Sequence, residues 1–262
     1  MECLANFCLV FSLQAFGNEQ YRNDALVSMN RLLQNASSDE GNLLHVAYQK
    51  GKNETGFLED YAFTISALIN VYQITFDERW LSEAKKLADY TISQYYDEEH
   101  GFFWFTSNLE TALIARKKEI TDNVISSSNS EMANALFKLD HILEEKKYNE
   151  IAARMMKAVE GNISHYPSSY SNWLNLLMNF TSHVDEIVIC GENADVERKI
   201  MAAHYLPNAV FCGTKVSTST LPLLQNRFRP GKTLIYICRD KTCKLPVENS
   251  LTGLASIGVK QY

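Results

Sequence analysis

The sequence holds six cysteines among 262 residues but no Cys-x-x-Cys pair, which argues against a dithiol redox centre in this chain. Cys238 and Cys243 are spaced C-x4-C, with no second Cys or His pair to complete a zinc set. Cys190, Cys212 and Cys238 fall in apolar, strand-like runs, where a buried thiol behaves as a small hydrophobe. The expectation is a reducing, cytoplasmic setting and no structural disulfide. Positive charge is also scarce. Net charge is −6, and the densest basic spots, Arg116-Lys117-Lys118 and Lys146-Lys147, lie beside acidic residues. No basic stripe offers a nucleic acid a footprint. No run of about 18 apolar residues exists to span a bilayer, so neither a nucleic-acid nor a membrane partner is expected. Residues 3–13 are apolar, yet they lack a basic flank and are interrupted by Asn6 and Ser12; they read as an amphipathic helix rather than a leader. None of the six histidines forms His-Glu-x-x-His, and no Gly-x-Ser-x-Gly or phosphate-binding loop occurs. Neither a metal nor a cofactor is expected, and His100 and His141 read as structural.

Against these absences stands a repeated grammar. An apolar residue, a few polar ones and an aromatic recur at Phe16-Gly17-Asn18-Glu19-Gln20-Tyr21, at Phe76-Asp77-Glu78-Arg79-Trp80 and at Leu143-Glu144-Glu145-Lys146-Lys147-Tyr148. Links this short force flanking helices to run antiparallel. The flanks carry helical apolar periods: Tyr61, Ile65, Leu68 and Tyr72; Trp80, Ala84, Leu87 and Thr91; Met132, Leu136, Leu139 and Leu143. Ser128 and Glu131 have capping-box spacing, which predicts a helix start near Asn129. Two links between hairpins repeat as well: Asp39-Glu40-Gly41 before Leu43, Leu44 and Val46, and Asp97-Glu98-Glu99-His100-Gly101 before Phe102, Phe103, Trp104 and Phe105. A repeat of about 60 residues is the signature of a stacked architecture. Near Asp185 the pattern changes. Strands are predicted at 186–190, 209–212 and 233–238, with a helix over 194–205 stopped by Pro207, which suggests a parallel βαβ unit. Gly191 stands alone at a strand end and makes no dinucleotide fingerprint.

Two stretches could carry chemistry. In Gly56-Phe57-Leu58-Glu59-Asp60-Tyr61-Ala62-Phe63 two acids adjoin an aromatic helix start. Asp60 suits an N-cap, and either acid suits general acid–base work or a sugar hydroxyl. The second stretch, Arg116 to Asn123 and on through Ser126, Ser127, Ser128, Asn129 and Ser130, is polar, aperiodic and precedes a helix. Glu59 or Asp60 facing Glu119 or Asp122 would make a carboxylate pair. A separation of about 5–5.5 Å suits retaining glycoside hydrolysis, and about 6.5–9.5 Å inverting.

Those two stretches, with Glu186-Ile187-Val188-Ile189-Cys190-Gly191 and the later Cys238-x4-Cys243-x-x-Pro246, resemble the C-terminal half of the spermatogenesis-associated protein 20-like family. Such proteins join a thioredoxin-like domain to an (α/α)6 toroid of the six-hairpin glycosidase type, similar in fold to N-acylglucosamine 2-epimerase. The resemblance implies a mainly α protein: a partial toroid of antiparallel helical hairpins over residues 1–183, followed by a small α/β element over 184–262. It implies catalytic Glu59, Asp60, Glu119 and Asp122, with Tyr61, Trp104, Lys118, Ser127 and Asn129 on the substrate. The implied ligand is a small sugar, handled by a glycosidase or a sugar epimerase or isomerase; the implied partners are a thioredoxin-like domain or further hairpins. A non-catalytic binding module and an inactive remnant remain open alternatives. The chain departs from the family at Glu59, where the family has Asp, and at Asn123, Ser126 and Ser128, where it has Gly, Pro and Gly. Three hairpins and one helix are counted where six hairpins close a ring, so a truncated product or one half of a split system is expected.

Overall fold

The computed structural model describes residues 2–37, 41–46, 55–110 and 115–259. Asp39 and Glu40 of the first inter-hairpin link lie outside the described residues. Three hairpins form where the short links place them. Helix α1 (Glu2–Phe16) turns into α2 (Glu19–Ala36), α3 (Leu58–Thr75) into α4 (Arg79–Tyr95), and α5 (Ser128–Leu143) into α6 (Lys146–Ile163). The first turn uses Gly17 at φ +65, and Asn18 caps α2 by accepting the Gln20 N–H at 3.0 Å. The second and third share another stop. Phe76 and Glu144 each adopt φ +56 and donate their N–H to Tyr72 O and Asp140 O, at 2.7 and 2.8 Å. Trp80 and Tyr148, which open the returning helices, are wholly enclosed and anchor these two hairpins, whereas Tyr21 of the first is half-buried.

Burial separates inner from outer helices. Fourteen of the 18 residues of α3 are buried, and 13 of the 16 of α5. Helices α4 and α6 bury only the periodic face facing their partners. The inner helices lie side by side, α1 on α3, α3 on α5, and α5 on α7 (Ser171–Thr181). Between the second and third hairpins, Asp97-to-Gly101 makes a tight turn in which β1 (Tyr96–Asp97) pairs antiparallel with β2 (Phe102–Phe103).

The predicted helix start at Asn129 shifts by one residue, and its cap is different. Ser127 is the N-cap, and its hydroxyl accepts from Ser130 N at 3.1 Å. Glu131 does not return to the cap; it is buried against α3. Asp60 is likewise not an N-cap. The cap position is Phe57, and Asp60, three residues on, accepts the Phe57 N–H at 2.8 Å.

The C-terminal strands arrive as read. Strand β3 (Asp185–Cys190), α8 (Ala194–Ala202) and β4 (Ala209–Thr214) form a parallel βαβ unit, with Ile187 opposite Phe211. Strand β5 (Leu234–Arg239) runs antiparallel on the other side of β3 and turns into β6 (Thr242–Cys243), for an order β4-β3-β5-β6. Helix α9 (Ser250–Ser256) packs on β5 and α8. Gly191, at φ +144, lets residues 232–233 approach: a Cβ there would meet Lys232 O at 2.4 Å. Strand β4 also meets α3. The Phe211 N–H donates to Gln73 Oε1 at 2.9 Å and the Gly213 N–H to the Tyr72 hydroxyl at 3.3 Å.

One expectation is overturned here. Cys238 and Cys243 form a disulfide, because the β5–β6 hairpin makes them direct cross-strand partners. The chain spacing alone did not reveal that a two-residue turn, Asp240-Lys241 with both φ positive, would bring the thiols opposite each other. Cys8, Cys190 and Cys212 are free.

Candidate functional site

Helices α3 and α5 start at the same end of the inner row, and the candidate acids gather there. Glu59 and Asp60 lie in the first turn of α3. Glu119 precedes α5, and its carboxylate accepts the Ser128 N–H at 3.2 Å, within the positive end of that helix. The Glu59 carboxyl is pushed above its ordinary value, first by burial and then by the negative charges of Asp60 and Glu119. The three acids therefore share one electrostatic neighbourhood. Asp60 is also held by His45, whose Nδ1 lies 2.8 Å from Oδ2. Beside them runs a ladder of rings. His45 meets Phe57 at 4.6 Å between centroids, Phe57 stacks on Phe105 at 4.9 Å, and Lys117 Nζ sits 4.2 Å from the Phe105 ring centre. Two backbone bonds hold this wall: Leu58 N to Phe105 O and Phe105 N to Lys117 O, at 2.9 and 2.8 Å. Half-buried carboxylates next to a partly exposed aromatic face can exchange protons with a hydroxylated ring stacked on that face.

Trp104 and Lys118 form a neighbouring group. Lys118 Nζ lies 4.1 Å from the Trp104 ring centre and donates to Asp97 Oδ2 at 2.5 Å; the Arg116 guanidinium lies over the same ring at 4.9 Å. Lys118, and then His100, hold the Asp97 carboxyl well below the usual carboxylate range against an opposing burial effect. Among the described residues, Asp97, Glu99 and His100 are the group whose donor atoms could meet one cation, but Asp97 is already engaged by Lys118.

The remaining candidates are placed elsewhere. Tyr61 is fully buried; its hydroxyl accepts the Leu43 N–H at 2.9 Å, its ring packs on Tyr90 and Tyr95, and burial raises its phenol above the ordinary range. Asp122 is nearly buried and spends both oxygens on the loop. Oδ1 accepts from Ser127 N at 2.9 Å and Ser130 Oγ at 2.6 Å, and Oδ2 from Asn172 N at 2.8 Å. Asn129, wholly enclosed, behaves like a strand neighbour: its amide accepts from Phe103 N and donates to Phe103 O, at 2.8 and 3.0 Å, and donates to Glu119 O at 2.9 Å. Ser127 caps α5. These side chains shape the walls that carry Glu119 and Phe105.

Sequence reasoning missed His45, Phe57, Phe105 and Glu131. Glu131 is a buried acid that accepts from Ser66 Oγ at 2.6 Å and Asn172 Nδ2 at 3.3 Å, and burial pushes its carboxyl up. Polar Ser66 and Glu131 within otherwise apolar helix faces were the available signal. For His45, fifteen residues from Asp60, no local signal existed.

Fold and site together define a mainly helical protein of antiparallel hairpins with a small mixed sheet. No family model matches the chain. Over 203 residues it is 27% identical to spermatogenesis-associated protein 20 of Rattus norvegicus and 26% identical to those of Homo sapiens and Mus musculus. The alignment covers 73% of this chain and 26% of each relative, so the chain spans about a quarter of the length of the curated relatives it matches. The chain is thus similar to the spermatogenesis-associated protein 20 proteins over most of its length.

Proposed function

We propose that the chain is part of a six-hairpin, glycosidase-type toroid, residues 1–183, with the sheet-bearing part, 184–262, closing one end, and that it processes a carbohydrate. The side-by-side row of inner helices, each backed by its outer partner, is the arc such a ring is built from. The observation that carries the functional reading is the Glu59 carboxyl, raised by burial and by the charges of Asp60 and Glu119 beside the Phe57–Phe105 wall. A carboxyl that holds its proton more tightly than usual can act as general acid while a neighbouring carboxylate acts as base. Phe57 and Phe105 supply the platform for a pyranose face, and His45 holds Asp60 in place. A second reading, a non-catalytic sugar-binding module, is favoured by Asp122, whose oxygens are both engaged by the loop that carries it.

The test is a thermal-shift panel of monosaccharides and amino sugars against the parent, Glu59→Gln and Glu119→Gln. The expected result is a sugar that raises the parent melting temperature and neither variant's, followed by turnover of that sugar or its glycoside. A shift shared by the parent and both variants, without turnover, supports the binding module. A folded chain with no shift from any sugar overturns both.

A further inference from the structure

A second cleft lies far along the fold, where the C-terminal ends of α5 and α7 meet the sheet. It has a volume of about 470 Å³, and its walls include Asp140, His141, Asn149, Glu186 and the β5–β6 turn. The chemistry of these walls is one-sided. Glu186 is fully buried; Oε1 is bonded to His141 Nδ1 at 2.8 Å, and no donor among the described residues reaches Oε2. Asp140 is 5% exposed, and its Oδ1 likewise has no hydrogen-bond donor; the nearest cation, Lys241 Nζ, stands off at 3.6 Å. Asn149 Oδ1 is a third enclosed acceptor without a donor. A carboxylate can only accept, so His141 donates to Glu186 through Nδ1. Four carboxylates (Asp140, Glu150, Glu186, Asp240) border the cleft against two ammonium groups (Lys146, Lys241), a net of −2 without counting His141. Buried acceptors lacking donors are costly, and under-compensated buried carboxylates favour a cation nearby.

We propose that this cleft binds a small guanidinium-bearing ligand. The acceptors are several and spread over three elements, α5, α6 and β3, which suits a planar cation with many N–H donors better than a point charge. A metal ion is disfavoured by the same spread: among the described residues the carboxylates and imidazole here do not bring three ligand atoms within 4.8 Å of one another. Phe137 and Phe180, edge to face at 4.9 Å, supply an apolar wall with ring faces for the guanidinium plane. Lys241, on the exposed β5–β6 turn, is the resident competitor that the ligand displaces from Asp140.

Calorimetric titration of the full chain tests this, with agmatine and an arginine-containing tripeptide as probes and citrulline, which carries an uncharged ureido group where arginine has its guanidinium, as the control. Saturable binding of agmatine at or below the order of 1 mM is expected, with citrulline at least tenfold weaker. Binding of the tripeptide as well would identify an arginine side chain as a natural source, and its absence a free small molecule. Asp140→Asn should weaken agmatine at least tenfold while the unliganded melting temperature stays level or rises. Lys241→Gln, a surface change, should tighten it. Citrulline binding as well as agmatine, no saturation by either cationic probe, or affinity unchanged in both variants would overturn the proposal.

Discussion

Asp122→Asn separates a scaffolding carboxylate from a catalytic one. In the parent, one oxygen accepts from Ser127 N and Ser130 Oγ and the other from Asn172 N, so Asp122 ties the 120–127 loop to the starts of α5 and α7. Asparagine keeps one oxygen. If that oxygen serves Ser127 and Ser130, the new NH2 points at the Asn172 N–H, donor against donor. If it is flipped, two donors lose their acceptor. Either way at least one hydrogen bond to a charged acceptor disappears and a donor is stranded, at a cost of about 2–4 kcal/mol. For a chain of this size, that corresponds to a fall in melting temperature of roughly 5–15 °C. Urea denaturation should show the loss as a lower midpoint with an unchanged slope. Hydrogen exchange should speed at the Ser127, Ser130 and Asn172 amides and hardly at α2. A variant that melts within a degree of the parent, with those amides still protected, would refute the structural role and return Asp122 to the list of catalytic acids.

Glu59→Gln should do the opposite. Because burial raises the Glu59 carboxyl, the folded state holds its proton more tightly than the unfolded chain; the parent therefore gains stability as pH falls through the raised value and loses it as pH rises. At neutral pH the glutamine variant should match the parent within about 0.5 kcal/mol or exceed it, and the two curves should converge or cross in acid. Asp97 carries the reverse sign. Its lowered carboxyl stabilises the fold above its ordinary value of 3.8, and that contribution fades as pH falls further. Asp97→Asn should cost about 1–3 kcal/mol at pH 7, with the gap narrowing below pH 4 in pH-resolved melts. Gly191→Ala puts a Cβ 2.4 Å from Lys232 O at φ +144 and should cost about 1–3 kcal/mol, read as a lower urea midpoint. Replacing Cys238 and Cys243 together by Ser frees a loop of sequence separation 5 and should cost about 2 kcal/mol by loop entropy, with no further loss when a reductant is added.

The hairpins were legible because their information is local. A short polar link fixes antiparallel helices, and the aromatic after the second and third links marks a buried residue. Strands 186–190 and 209–212 were equally plain, the first as a β-branched run and the second as a short apolar one. What escaped was set by partners distant in sequence. Asp60 looked like a cap because its reach back to Phe57 and across to His45 cannot be read from its neighbours. Asn129 looked like a ligand-facing amide, yet it completes the backbone of Phe103, twenty-six residues earlier. The disulfide depended on a turn whose two positive-φ residues, Asp240 and Lys241, are not typical for it.

The bonds from Gln73 and Tyr72 to strand β4 carry a consequence for life in a crowded solution. Strand β4 ends the sheet, and every second N–H on its outer side would be free to recruit a strand from another molecule. Two of those groups, on Phe211 and Gly213, are consumed by side chains of α3. The helical layer thus acts as a blunt border along the sheet, so the molecule offers no open template for edge-to-edge growth there. Self-association through this strand must first peel it from α3, at the cost of uncovering a helix that buries 14 of its 18 residues.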